Sequence, residues 1–355
     1  MAIATAVIGF LVVRVGGRAV LTTACLVAGL TFFAMSRMQT LLQFYGLMPL
    51  VALVLASFGD VTVGHVVTRW VRRSRGLALG LVYVGANIGA MIAVPLLAWI
   101  TEASGWRDAV LLVGVGGACF LLPFAFWMVR DPRLAEAAWD AEDGPERSVS
   151  PRAASMDLRQ ALRTRSFWLL AFNLAATFFY FVAMTDQLVP YLTDSGLSGS
   201  QAAGHFRTIV GMGLVSKILL GSLADRISAT NAMRFNTGLL FASSIVLLFL
   251  PEHGLLSLFI VVYGFSSTAR DVLYPLIVVH CFGVRYMAEI YGVLMLSLLA
   301  GTLGPILAAA SRDLTGSYTA SFATYAVVNG LSLIAVWMVR RECDGAEGLA
   351  ESQRS

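Results

Sequence analysis

Lysine is almost missing from this chain. Of its 25 basic residues, 24 are arginine and one, Lys217, is lysine. Charge of either sign is scarce: 13% of the 355 residues are charged, against about 25% in soluble domains. With 58% hydrophobic residues and a mean hydropathy of +0.77, that scarcity excludes a soluble globular protein. The four cysteines, Cys25, Cys119, Cys281 and Cys343, show no metal or redox spacing, and the first three read as apolar packing. There is no HExxH, no GxSxG and no pair of metal ligands on one span, which argues against a membrane-embedded enzyme. No catalytic residue, metal or cofactor is expected. No basic region precedes the apolar start, so no cleavable signal peptide is read.

Long apolar runs fill the space that charge leaves. They cover 18–36, 41–68, 77–101, 108–129, 166–190, 202–223, 232–250, 255–281, 288–311 and 319–339, each long enough to span a bilayer. The prediction is an all-α polytopic membrane protein of ten full spans. A shorter piece, Met1 to Val13, precedes them and would reach only ~20 Å as a helix. Segments 14–18, 69–75, 130–165, 226–234, 285 and 340–355 carry 19 of the 25 basic residues when placed on one side. By the positive-inside rule that side is cytoplasmic, so the carboxyl terminus is cytoplasmic too. The opposite side holds Arg37, Arg107, Arg207 and Arg312.

The chain also repeats itself. At an offset of 212 residues, Gly9, Leu11 and Arg14 fall on Gly221, Leu223 and Arg226. The same offset brings Arg73 to Arg285, Gly80 to Gly292 and Gly89 to Gly301. Two repeats divided by a charged cytoplasmic loop describe paired helical bundles of secondary transporters. The expected organisation is a bundle at 1–129, a linker at 130–165, a second bundle at 166–342 and a disordered tail at 343–355. The repeat mate of the span that begins near Ser166 would lie ahead of Met1, so the first bundle is expected to be incomplete at its N-terminus.

Lys217 lies in Gly211-Met-Gly-Leu-Val-Ser-Lys217-Ile-Leu-Leu-Gly221, a stretch with no other charge. Arg207 and Asp225 are ~15 and ~12 Å away along a helix, so the ammonium sits near mid-membrane. A cation there is expensive unless it faces a bundle interior or a water path, and it marks a functional site by default. Arg270 is a second one, ~22–26 Å from either end of its span. Neutralisation by Asp271 is the alternative reading for it. Asp60 lies ~13 Å inside from Arg69, and Asp186 lies towards the outer end of its span. A desolvated carboxylate favours its protonated form, so Asp60, Asp186 and Asp271 are candidates for proton coupling. Gly85 and Gly89 form a small-xxx-small face expected to admit a neighbouring helix, as do Gly301 and Gly304. The aromatic run Phe178-Phe179-Tyr180-Phe181 reads first as lipid or helix packing and second as a cavity mouth.

Gly221-Ser-Leu-Ala-Asp225-Arg226 resembles the loop signature of the major facilitator superfamily. Gly9-Phe-Leu-Val-Val-Arg14-Val-Gly16-Gly-Arg18 is similar to it, with Val13 where the family has an aspartate. Trp70-Val-Arg-Arg73-Ser-Arg75-Gly-Leu77-Ala78-Leu-Gly80 and Asp313-Leu-Thr-Gly316-Ser-Tyr318 resemble the monocarboxylate and oxalate–formate transporter-like branch. The resemblance implies two pseudo-symmetric bundles. It also implies gating roles for Gly9, Arg14, Arg18, Arg73, Arg75, Gly221, Asp225 and Arg226. Lys217 matches the position of a basic residue that the branch carries four places before the signature glycine. The expectation is a secondary transporter of the bacterial inner membrane that moves a small mono- or dicarboxylate by proton symport or exchange. Lys217 and Arg270 would bind it. The alternatives are proton-coupled drug or metabolite efflux, which two buried cations disfavour, and a truncated, transport-inactive member. Expected partners are the organic anion, protons and lipid, not nucleic acid; the oligomeric state stays open.

Overall fold

The computed structural model describes residues 1–71, 73–129, 155–250 and 254–342. Most of the expected linker, residues 130–154, and the expected tail at 343–355 lie outside the described residues. The first helices are α1 (Ala2–Val15), α2 (Gly17–Ser36), α3 (Leu41–Ser57), α4 (Asp60–Trp70), α5 (Arg75–Ser104) and α6 (Trp106–Trp127). After the linker come α7 (Leu158–Arg163), α8 (Arg165–Asp194), α9 (Gly199–Ile227), α10 (Ala229–Leu248), α11 (Leu256–Ser267) and α12 (Arg270–Phe282). The last two are α13 (Met287–Thr315) and α14 (Thr319–Met338). Local chemistry sets the boundaries. Thr40 with Gln43, Asp157 with Gln160, and Ser198 with Gln201 form capping boxes that start α3, α7 and α9. Gly16, Gly105, Gly283 and Gly316 take positive φ at helix ends.

Among the described residues, eight helices are long and apolar enough to cross a membrane, and nine if the bent pair α11–α12 is one span. The seventh expected span, 232–250, is the one that departs. Its helix, α10, is 20 residues long, but Asn231, Arg234, Asn236, Thr237, Ser243 and Ser244 dilute its apolar character. Asn236, Thr237, Ser243 and Ser244 are buried against other helices rather than facing lipid. The end of the expected linker also differs, since 158–163 is helical.

The repeat is visible in space. α2 and α10 correspond residue for residue at the offset of 212, and α5 pairs with α13 and α6 with α14. The two close crossings between early and late helices, α5 with α9 and α1 with α13, are related in the same way. At the first, a Cβ on Gly221 would strike the Gly76 carbonyl, and one on Gly80 the Lys217 carbonyl. At the second, a Cβ on Gly9 would strike the Ala288 carbonyl, and one on Gly292 would lie 3.2 Å from the Thr5 carbonyl. Each contact of one crossing maps onto a contact of the other.

Burial is uneven. Half of the α8 span and 44% of the α14 span are buried, against 17% for Leu41–Trp70, α5 and α6. One apolar cluster joins early to late helices through Val12, Val61, Leu79, Leu220, Val272 and Met287. A second, around Tyr180, Tyr263, Phe322 and Tyr325, belongs to the late helices alone. Gly301 and Gly304 of α13 pack against Phe178 and Phe179. Their expected counterparts Gly85 and Gly89 have nothing within 4 Å of a built Cβ. That corrects the expectation that this face admits a helix here: beyond Gly80 the outer half of α5 stands away from its neighbours.

Candidate functional site

The site begins where two spans break at matching depth. Between α3 and α4 the chain turns at Phe58 and Gly59, and Asp60 occupies the first turn of α4. Between α11 and α12 the axis bends by 42°, and Asp271 occupies the first turn of α12. A carboxylate in a first turn is favoured by the unpaired N–H groups and the helix dipole. Thr268 in the second break donates from Oγ1 to the Gly213 carbonyl at 3.1 Å. This clamp docks the break onto α9 one turn before Lys217, which brings Lys217 beside Asp271.

Lys217 is 3% exposed. Its Nζ lies 2.9 Å from Asp271 Oδ2 and donates to Asn87 Oδ1 of α5 at 3.3 Å. The Tyr83 ring lies 5.8 Å away, and the Tyr83 hydroxyl donates to the Asp60 carbonyl at 3.3 Å. Arg270 Nε lies 3.3 Å from Asp271 Oδ1, outside hydrogen-bond alignment. Asp271 therefore faces both cations, one oxygen to each. The Arg270 guanidinium also sits 4.7 Å from the Phe178 ring and 4.8 Å from the Phe181 ring, a double cation–π contact. The Asp60 carboxyl is within electrostatic reach of Asp271, Arg270 and Lys217. Two cations and two carboxyls from α4, α9 and α12 meet at one depth. The site sits just beyond Gly80, where α5 and α9 part.

Asp186 does not join them. It is exposed on α8 and has no ion pair among the described residues. Asn87, Tyr83, Phe178 and Phe181 are the additions that the sequence reading did not place in the site. Asn87 left a trace, as an amide seven residues from Gly80 in an apolar run. Phe178 and Phe181 belong to the aromatic run whose second reading is a cavity mouth, but nothing in the sequence sets them against Arg270.

The signature residues lie at the arginine-rich end. The Asp225 carboxylate accepts from the Gly76 N–H at 2.8 Å and the Leu77 N–H at 2.9 Å, closing the start of α5 onto the end of α9. Arg75 donates from Nε to the Val71 carbonyl at 2.8 Å. Arg18 stacks 4.5 Å from the Phe126 ring. Arg14, Arg73 and Arg226 are exposed, and Arg14 is an electrostatic neighbour of Glu289. At the other crossing Val13 occupies the place of Asp225.

The sequence profile of the Major Facilitator Superfamily matches residues 1–301. The chain belongs to that superfamily. Monocarboxylate transporter 11 of Homo sapiens is 29% identical over 325 residues, covering 87% of this chain and 66% of that protein. The chain spans 58–66% of the length of such curated relatives. The E. coli fucose:proton symporter superposes with a TM-score of 0.71 at 13% identity, over 95% of this chain and 87% of that one. The human organic anion transporter MFSD10 gives 0.70 at 17% identity, over 94% and 80%. The chain thus has the multi-pass helical fold of the major facilitator superfamily.

Proposed function

We propose that the protein carries a small mono- or dicarboxylate across the membrane by alternating access, with Lys217 and Arg270 as the anion-binding pair. The observation that carries this reading is the bridging of two cations, the buried Lys217 and the partly buried Arg270, by one carboxylate, Asp271. Asp271 is an internal counter-ion to both cations. A substrate carboxylate offers the same two oxygens and takes over one or both cations. Phe178 and Phe181 supply an apolar wall beside the guanidinium. The relatives' names add support, since they include monocarboxylate transporters and an organic anion transporter.

Charge balance favours proton symport. Lys217, Arg270, Asp271 and Asp60 sum to zero when all four are ionised. Adding one carboxylate leaves a net negative charge in a medium where isolated charge is costly. One proton taken up by Asp60 or Asp271 restores neutrality, so anion entry and proton uptake are thermodynamically linked. Asp186, exposed and outside the cluster, is the weakest coupling candidate. Residues 1–129 and 166–342 are the two bundles that rock about the site, with the arginine-rich face and the carboxyl terminus in the cytoplasm of a bacterial cell.

The test is binding of mono- and dicarboxylates to purified protein with thermal unfolding as the folding control. Lys217→Ala is expected to abolish binding, and Lys217→Arg to retain part of it, because charge is kept while donor geometry changes. Unchanged carboxylate affinity in a folded Lys217→Ala variant would remove Lys217 from the site. In vesicles, Asp60→Asn or Asp271→Asn should lose pH-driven accumulation while exchange survives; full proton-driven uptake in both would remove them from coupling.

A further inference from the structure

A cavity of about 470 Å³ opens on the arginine-rich face, where α7 turns into α8, far from the charged cluster at mid-membrane. It is lined by Arg163, Thr164, Arg165, Trp168, Leu169 and Met338. Its walls are tied. The Thr164 side chain caps α8 by accepting from the Phe167 N–H at 3.3 Å. Trp168 donates from Nε1 to the Leu162 carbonyl at 3.0 Å, which fixes an indole that is 62% exposed. On the opposite wall the Arg340 N–H donates to Ser166 Oγ at 3.1 Å, holding the end of α14 against the start of α8. Glu342, the acid at this corner, bonds to the Ser166 hydroxyl.

The chemistry of the cavity is divided. Arg163 and Arg165 are exposed, and neither has an ion-pair partner among the described residues. Trp168, Leu169 and Met338 form an apolar wall, with Trp337 also exposed beside Met338. Tryptophan at the level of basic residues is the signature of the headgroup region. Basic pockets between membrane helices on the cytoplasmic side bind anionic headgroups. We propose that this cavity binds one anionic phospholipid, its phosphate between Arg163 and Arg165 and an acyl chain along Trp168, Leu169 and Met338. A soluble anion would leave the apolar wall uncovered, and a zwitterionic lipid would bring no net charge to the two guanidinium groups.

Native mass spectrometry of the purified protein, titrated with phosphatidylglycerol and separately with phosphatidylcholine, tests this. The wild type should retain phosphatidylglycerol in preference. Arg163→Gln/Arg165→Gln should weaken that binding about fivefold for each arginine, roughly 25-fold for both, with phosphatidylcholine unaffected. Arg163→Lys/Arg165→Lys should keep most of the preference, and dihexanoyl phosphatidylglycerol should bind more weakly than the long-chain lipid. An unchanged preference in the doubly neutralised protein would overturn the proposal. So would inorganic phosphate that binds alone and is lost with the two arginines, since the ligand would then be a soluble anion.

Discussion

Where α5 crosses α9, Gly76 meets Gly221 and Gly80 meets the carbonyl of Lys217. Where α13 crosses α1, Ala288 meets Gly9 and Gly292 meets the carbonyl of Thr5. The backbones repeat and the side chains do not. Lys217 has Thr5 as its mate, Asp225 has Val13 and Asp271 has Gly59. The crossing that lacks these three charges, called uncharged below for that reason, forms the same approach of helices, so close packing does not require them. A buried ion pair is in any case a weak source of net stability. What the charged crossing adds is therefore chemistry, and its depth is where a transported ligand would be held.

The sharpest way to break that comparison is to make one crossing copy the other. Lys217→Thr leaves Asp271 without its closest cation in a buried setting, and removal of one partner of such a pair costs about 3–5 kcal/mol. Lys217→Thr/Asp271→Asn should recover most of that loss, because one cation and one carboxylate are removed together and Arg270 and Asp60 still sum to zero. Chemical unfolding in detergent measures both. A loss below about 1 kcal/mol in the single variant would mean that Arg270 alone suffices to hold Asp271.

A second copy concerns shape. Gly76→Ala gives the charged crossing the residue that Ala288 supplies to its mate. At Gly76, however, the new methyl would meet the Gly221 carbonyl and approach Asp225 Oδ1. Backbone cannot yield as a flexible side chain does, so the cost should be ~1–3 kcal/mol, taken as partial opening of the arginine-rich end. Increased thiol labelling of a cysteine introduced at Leu77 is the readout. Gly292→Ala, whose nearest contacts are 3.2–3.3 Å, should be the milder change; equal labelling in both would show that the crossings tolerate bulk alike.

How far the sequence foretold this site follows from the same two crossings. The offset of 212 was legible because glycines at close approaches cannot drift without a clash, and it reappears as paired contacts. Lys217 and Arg270 were legible from depth alone, since one charge in an apolar run needs no structure to stand out. Their joint contact with Asp271 was open, because adjacency of Arg270 and Asp271 in sequence does not say which way either side chain turns across the bend. Asp186 looked as good as Asp60 on composition, and only the break before α4 separates them by turning Asp60 inward. Gly85 and Gly89 carry the spacing of a packed face, yet stand open where α5 leaves α9.

A carboxylate clasp holds the arginine-rich end of the charged crossing. Asp225 accepts two backbone N–H groups, and hydrogen bonds to a charged acceptor are the stronger kind. Asp225→Asn keeps one carbonyl oxygen and loses the charge, so the charged crossing should weaken by ~1–2 kcal/mol. Cysteine labelling at the start of α5 should rise and labelling at the start of α13 should stay level. A rise at both would show that one clasp holds the two crossings together.

The smallest effect is expected from giving the uncharged crossing a clasp of its own. Val13→Asp places a carboxylate where the mate has Asp225. The start of α13 has no side-chain cap, so its free N–H groups should welcome it by about 0.3–1 kcal/mol. Yet Glu289 already occupies that first turn, at the position where the charged crossing has Leu77, with Arg14 as an electrostatic neighbour. Like charges at such spacing repel by a few tenths of a kcal/mol, roughly the size of a favourable helix pair. Val13 also packs against the joining apolar cluster, and that contact is lost. The single change should therefore fall within about 0.5 kcal/mol of the parent, as surface-like substitutions do. Val13→Asp/Glu289→Leu, which copies both mates, should be more stable than Glu289→Leu alone. A thermodynamic cycle over the four proteins isolates the coupling between positions 13 and 289. If it is zero, Glu289 does not stand in for the missing aspartate, and the uncharged crossing is held by backbone packing without any electrostatic clasp.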